Sequence, residues 1–213
     1  MVARIVKEAY PGVEVTRPRD WNHPLIFSNP HAGRRYPQKL LRQSPLPLET
    51  LRRSEDAYVD KLLPGFVKDL VPTLTAHFPR LFVDVNRSPR ELDPSLFAGP
   101  LEDASERRSN RVIAGFGVIP KLAADGRNIY SARLPSNEAK ARLKQCYRPY
   151  HDALGRLFAE GQRTFGDVLL VDWHSMPSAA GSNGRLPDVV LGDVFGASCH
   201  EADTGLFEDA FRA

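Results

Sequence analysis

The chain has 213 residues, of which 42% are hydrophobic and 26% charged, enough to bury the core of one globular domain. This composition excludes disordered, collagenous and coiled-coil classes. No apolar run approaches the roughly 20 residues of a membrane-spanning helix, and the N-terminal MVARIVKEAY lacks the apolar stretch of a secretory signal. The net charge is only +3, with arginines interleaved among acids as in RRSEDAYVDK, which argues against a nucleic-acid partner.

The first apolar burst, Leu25-Ile26-Phe27, reads as a short buried strand running into the loop Ser28-Asn29-Pro30-His31-Ala32-Gly33. Pro45 and Pro47 punctuate the start of a helix predicted over 48–68, with Leu48, Leu51, Tyr58, Val59, Leu62, Leu63 and Phe66 on one face. Pro64-Gly65 is expected to distort it or end it early. Two β-like runs follow, at 71–76 and 81–85. The stretch 86–134 is rich in Pro, Gly and charge and reads as irregular, with a turn of helix over 106–114. Ser136 or Asn137 caps a long helix to about Glu160, kinked at Pro149 and stopped by Gly161. Val168-Leu169-Leu170-Val171 reads as a strand covered on both faces, 186–191 as a further strand and 200–213 as a helix. Strands alternating with helices define an α/β fold, a three-layer sandwich around a mostly parallel or mixed sheet.

Polar groups concentrate at three strand-to-loop junctions: 28–33, Asp84-Val85-Asn86-Arg87, and Asp172-Trp173-His174-Ser175-Met176-Pro177. Open α/β sheets place ligands beyond the carboxyl ends of their strands, so parallel strands would gather all three on one edge. Two histidines there, with a carboxylate from a neighbouring helix, make the three-ligand set of a catalytic zinc site, and Asp172 could orient a histidine. Each piece also has an ordinary structural reading: a loop histidine bonded to backbone, strand-end carboxylates on N–H groups, Arg87 in a surface ion pair. Two cysteines, Cys146 and Cys199, make no disulfide framework, and the expected compartment is the cytoplasm. The surplus of arginine suits bidentate capture of carboxylates. No G-x-S-x-G elbow is present to support a serine hydrolase.

Blocks covering nearly the whole chain resemble the N-formylglutamate amidohydrolase (N-formylglutamate deformylase) family, itself similar to zinc carboxypeptidases and aspartoacylases. They are SNPHAGRRYP, RRSEDAYVDKL, FPRLFVDVNRSPRELDP, GVIPKL, YRPYHDAL, VDWHSMPS and PDVVLGDVFGASC, in the family's order. The resemblance implies a zinc-exopeptidase type of fold (phosphorylase/hydrolase-like) and one zinc ion per chain, held by His31, His174 and an acid of RRSEDAYVD. Asp56 matches the family's acidic position. Glu55 is the rival, because it falls nearer the centre of the predicted helix's apolar arc, and a buried acid must be paired or metal-bound. The resemblance further implies that Arg87 and Asn86 hold the carboxylate of a small N-acyl amino acid, and that Arg80 polarises the scissile carbonyl. The implied reaction is hydrolysis of an N-formyl amide to formate and L-glutamate, with zinc activating water and polarising the carbonyl. A related zinc deacylase or carboxypeptidase-like peptidase would need the same residues, and a non-catalytic carboxylate-binding relative could keep the pocket. The family's general-base glutamate belongs to a segment after the last helix here, so the reading is a single amidohydrolase domain over 1–213, truncated at its C-terminus.

Overall fold

Alternating apolar and polar residues in Val13-Glu14-Val15-Thr16, preceded by the turn Pro11-Gly12, build an N-terminal hairpin that the sequence reading does not contain. Gly12 takes φ +70°, a left-handed turn conformation that a β-carbon would strain. The computed structural model describes residues 6–67, 70–101, 109–176 and 187–212. Lys68, 106–108, Pro177, Leu186 and Ala213, all within predicted segments, lie outside them, as does the side chain of Phe66.

The hairpin strands are β1 (Val6–Tyr10) and β2 (Val13–Arg17), followed by β3 (Leu25–Asn29). Three helices come next, α1 (Gln38–Gln43), α2 (Leu48–Arg52) and α3 (Val59–Val67), then β4 (Thr73–Ala76). A two-residue pair, β5 (Phe97–Ala98) and β6 (Leu134–Pro135), brackets the short helix α4 (Asn110–Ile113). A long helical rod follows, made of α5 (Ser136–Arg142), a π-helical turn (Leu143–Tyr147) and α6 (Arg148–Phe165). Strand β7 (Leu169–Asp172) and helix α7 (Glu201–Arg212) complete the order. The chain divides into two compact units, Met1–Ser175 and Met176–Ala213. In the second, 187–191 form no strand, and α7 is its helix. No described helix is long and apolar enough to cross a membrane.

In the first unit the sheet order is β1-β2-β4-β3-β7. The hairpin runs antiparallel to β4, whereas β4, β3 and β7 are mutually parallel, so the sheet is mixed. Helices cover both faces. Ile26 and Leu74 point into a core shared with Tyr150 and Leu157 of α6, while Phe27 packs with Val59 and Leu63 of α3 on the opposite side. Ile26 and Leu74 have no exposed surface, and each such burial contributes roughly 1.5–3 kcal/mol. This is the expected α/β architecture with a central mixed sheet flanked by helices.

Several elements differ in detail. The helix predicted over 48–68 is two helices: the chain leaves helical geometry at 54–58, where Tyr58 has φ 69°, and α3 then continues through Pro64. The apolar run 81–85 is a buried turn rather than a strand, held by Phe82 N–H on Pro79 O and Asp84 N–H on Val118 O. Pro149, expected to kink the helix rather than end it, leaves the rod continuous. Its missing N–H leaves the carbonyl one turn upstream without its α-helical donor, and the π-helical turn lies there. Gly161 is no stop either, because the rod runs on to Phe165 and Gly166 caps it at φ +85°. A β-carbon on Gly161 would stand 2.6 Å from Val168 and 2.8 Å from Trp21, so that glycine permits close packing. Strand β7 is the edge of the described sheet and only half-buried, not covered on both faces.

Candidate metal centre and adjoining cleft

The parallel strands β3, β4 and β7 end on one edge, and each delivers polar residues there. His31 follows β3, Arg80 to Arg87 lie in the segment after β4, and Asp172 and His174 close β7. Register fixes the outer pair, since Ser28 stands opposite Asp172 and the Trp173 N–H donates to Ser28 O at 2.9 Å. Gly33 lets the 31–36 loop lie directly on the segment after β4: a β-carbon there would meet Phe78 O at 2.1 Å. The break between α2 and α3 brings in the fourth contributor, with the Asp56 N–H donating to His31 O at 3.1 Å.

His31, Asp56 and His174 therefore converge, their ligating atoms within 4.8 Å of one another. His31 Nδ1 lies 3.2 Å from His174 Nδ1, and Asp56 Oδ2 lies 2.7 Å from His174 Nδ1 and 3.6 Å from His31 Nδ1. A tetrahedral zinc ion with bonds of about 2.0–2.1 Å spaces its ligand atoms by about 3.3 Å, so these separations suit one ion. The chemistry of the donors agrees. His31 Nε2 is bonded to Asp84 Oδ1 at 2.8 Å, and His174 Nε2 to Asp172 Oδ2 at 3.0 Å. With a metal bound at Nδ1, the carboxylate on each outer nitrogen would hold the ring in its ligating tautomer. Two ring nitrogens and a carboxylate oxygen gathered this closely favour a cation among them, a metal ion or a proton on His174.

Electrostatics at the centre follow from burial set against pairing. His31, Asp56 and Asp84 are 2%, 6% and 1% exposed. Burial alone would raise the Asp56 carboxyl, but hydrogen bonds and charge from His174 and His31 outweigh it and hold it well below the usual range. Asp84 is lowered in the same way: His31, Arg80 and Arg87 overcome its desolvation. Burial would lower the His174 imidazole, yet its bonds to Asp172 and Asp56 lift it to about 9. Both bonds favour the protonated His174 ring.

Arg80 sits beside this group, with Nη2 2.8 Å from Asp84 Oδ2 and Nη1 3.8 Å from Asp56 Oδ1. Glu55 does not reach it. Its carboxylate accepts from Tyr36 Oη at 3.0 Å and Arg52 Nε at 3.2 Å, and Asp60 pairs with Arg34. Asn86 turns its amide to Asp172, with Nδ2 3.0 Å from His174 Nε2. Asn86 and Asp172 also line a cleft of about 540 Å³, together with Arg87, Arg111, Tyr147 and His151. The Arg87 guanidinium is steadied by carbonyls, Nε on Phe116 O at 3.2 Å and Nη1 on Asn86 O at 2.9 Å. From the rod, Tyr147 Oη donates to Arg87 O at 3.0 Å and His151 Nε2 to Val85 O at 3.0 Å, clamping the backbone on either side of Asn86. No sequence motif singles out Tyr147, Tyr150 or Arg111; only the fold brings them to the cleft.

The parallel strand ends of a mixed α/β sheet thus present a histidine pair and a carboxylate beside an arginine-lined cleft, at the edge where open α/β sheets place their ligands. Comparison with protein families matches residues 23–213 to N-formylglutamate amidohydrolase, and the chain belongs to that family. It is 32% identical over 181 residues to the N-formylglutamate deformylase of Pseudomonas putida, covering 83% of this chain and 61% of that protein. The corresponding enzyme of Pseudomonas aeruginosa is 33% identical over 184 residues, covering 84% and 62%. The chain thus spans about three fifths of the length of these curated relatives. Among solved structures, the N-formylglutamate amidohydrolase of Ralstonia eutropha superposes with a TM-score of 0.87 at 30% identity, over 95% of this chain and 74% of that one.

Proposed function

We propose that this protein hydrolyses the N-formyl amide of N-formyl-L-glutamate, releasing formate and L-glutamate, with one zinc ion held by His31, Asp56 and His174. The observation that carries the reading is the convergence of three acceptor atoms within 4.8 Å, each imidazole turned by a carboxylate on its far nitrogen. Bound zinc supplies Lewis acidity, making water a nucleophile near neutral pH and polarising a carbonyl.

The chain's own residues supply the rest. Asp84 and Asp172 keep the two rings in their ligating tautomers and add basicity to them. Arg80, anchored on Asp84, presents positive charge next to the centre, where the carbonyl oxygen gains charge in the transition state; such a donor contributes roughly 3–4 kcal/mol. Arg87 takes the substrate's α-carboxylate, and Asn86 adds a hydrogen bond from the amide that also braces Asp172. Because carbonyls already hold the Arg87 guanidinium, little rotamer freedom is lost on binding, and affinity becomes orientation.

Elemental analysis combined with an assay of formate release from N-formyl-L-glutamate tests this reading. The expected result is about one zinc per chain and activity that a chelator removes and zinc restores. N-acetyl-aspartate, N-succinyl-glutamate and short peptides should be poor substrates. Formate release untouched by exhaustive chelation overturns the metal assignment, and preference for another acyl group overturns the substrate.

A further inference from the structure

The cleft contains a second guanidinium that the chemistry above leaves without a task. Arg111 projects from α4 into the wall that also carries Arg87. Its place is built rather than incidental. The buried Glu91 carboxylate accepts from Ser88 N–H at 3.1 Å and from Ser109 Oγ at 2.7 Å, stapling the start of α4 to the loop that holds Arg87. Ser109 then caps α4 on Val112 N–H. Gly117 presses against the same strut, since a β-carbon there would meet Glu91 O at 2.3 Å. Two like charges are thereby fixed along one cleft wall. Burial lowers the Arg87 pKa and the nearby Arg111 charge lowers it further, against the opposing pull of Asp84.

Among the described residues the Arg111 side chain has no hydrogen bond or ion pair, and the carboxylates around it are committed. Asp84 serves His31 and Arg80, Asp172 serves His174 and Asn86, and Glu91 serves the staple. A cleft of about 540 Å³ with two guanidiniums and, among the described residues, no spare acid favours a ligand with two anionic ends. We propose that Arg111 is the specificity-determining residue for the substrate's second carboxylate: it takes the side-chain carboxylate of an N-acyl dicarboxylic amino acid while Arg87 takes the α-carboxylate. This assignment rests on the function proposed above and names what selects the acidic side chain.

Calorimetric binding of L-glutamate and L-glutamine, which needs no turnover, separates the two claims. Wild-type protein should prefer L-glutamate by about 10–100-fold, the size of a charge-assisted bidentate contact. Arg111→Gln should reduce the preference to within about threefold and leave L-glutamine affinity unchanged, while Arg111→Lys keeps part of it. Arg111 is exposed, so neither variant threatens the core. No preference in the wild type, a preference retained in Arg111→Gln, or equal loss of both ligands would overturn the role of Arg111. A glutamate preference that vanishes with Arg111, in a protein that releases no formate from N-formyl-L-glutamate, would leave Arg111 standing and sink the proposed reaction instead.

Discussion

The histidine centre and the cleft beside it share Asn86 and Asp172 yet are built on opposite plans. At the centre both outer imidazole nitrogens are committed to carboxylates, and the inward nitrogens gather with Asp56 within 4.8 Å of one another. In the cleft it is the donors that remain. Arg87 spends part of its guanidinium on carbonyls, and Arg111 points into the space with no described acid to meet it. Under the proposed function the acidic side would take the cation and the basic side the anionic substrate. Arg87 keeps one long contact across the boundary, with Nε 4.0 Å from Asp84 Oδ2.

The sharpest way to break the comparison is at the lone-pair cluster itself. His174→Ala should abolish stoichiometric zinc and reduce formate release by about a thousandfold or more, since two ligands do not hold a catalytic ion; equilibrium dialysis reads the first and product assay the second. Asp84→Asn attacks the carboxylate behind His31 rather than a ligand. Zinc affinity should fall by about 10–100-fold in a chelator competition, and an unchanged affinity would remove Asp84 from the metal's support.

Proton and metal should compete for the same acceptors. In the metal-free protein the His174 pKa is raised from the ordinary histidine value to about 9. Its stabilising contribution is therefore complete below about pH 6.5 and is lost as pH rises through 9, so the melting temperature of metal-free protein should fall across that window. Zinc-loaded protein should show a flatter profile, and identical profiles would count against a shared position. The smallest effect is expected at the rival acid. Glu55→Gln disturbs its bonds to Tyr36 and Arg52 and should cost about 1 kcal/mol in chemical denaturation, with zinc content unchanged.

The two histidines were legible because each follows an apolar run at a strand end, and the parallel register then brings them together. Asp56 was legible only through family likeness. A helical wheel drawn over 48–68 favours Glu55, but the helix breaks at 54–58, and the wheel loses its phase at the residue in question. Periodicity cannot show such a break where propensities stay favourable on both sides. The 81–85 run fails for a related reason: continuous apolar residues report burial, not the strand bonding that burial most often accompanies. Arg111 left no local trace. Its meaning comes from a staple between Glu91, Ser88 and Ser109 across an irregular stretch, and no spacing rule encodes that contact.

The wide turn at Leu143–Tyr147 acts as a gear between two jobs done by one rod. Upstream, Arg142 is locked to Glu138 and Tyr130 in the interior; downstream, Tyr150 reaches Ser28 and His151 reaches Val85. Each residue advances a helix by about 100°, so the surplus residue in that turn sets the angular offset between the two halves. Excising it would leave both halves helical while rotating one against the other, and the clamp on Asn86 and Arg87 would come out of alignment although no clamp residue had changed.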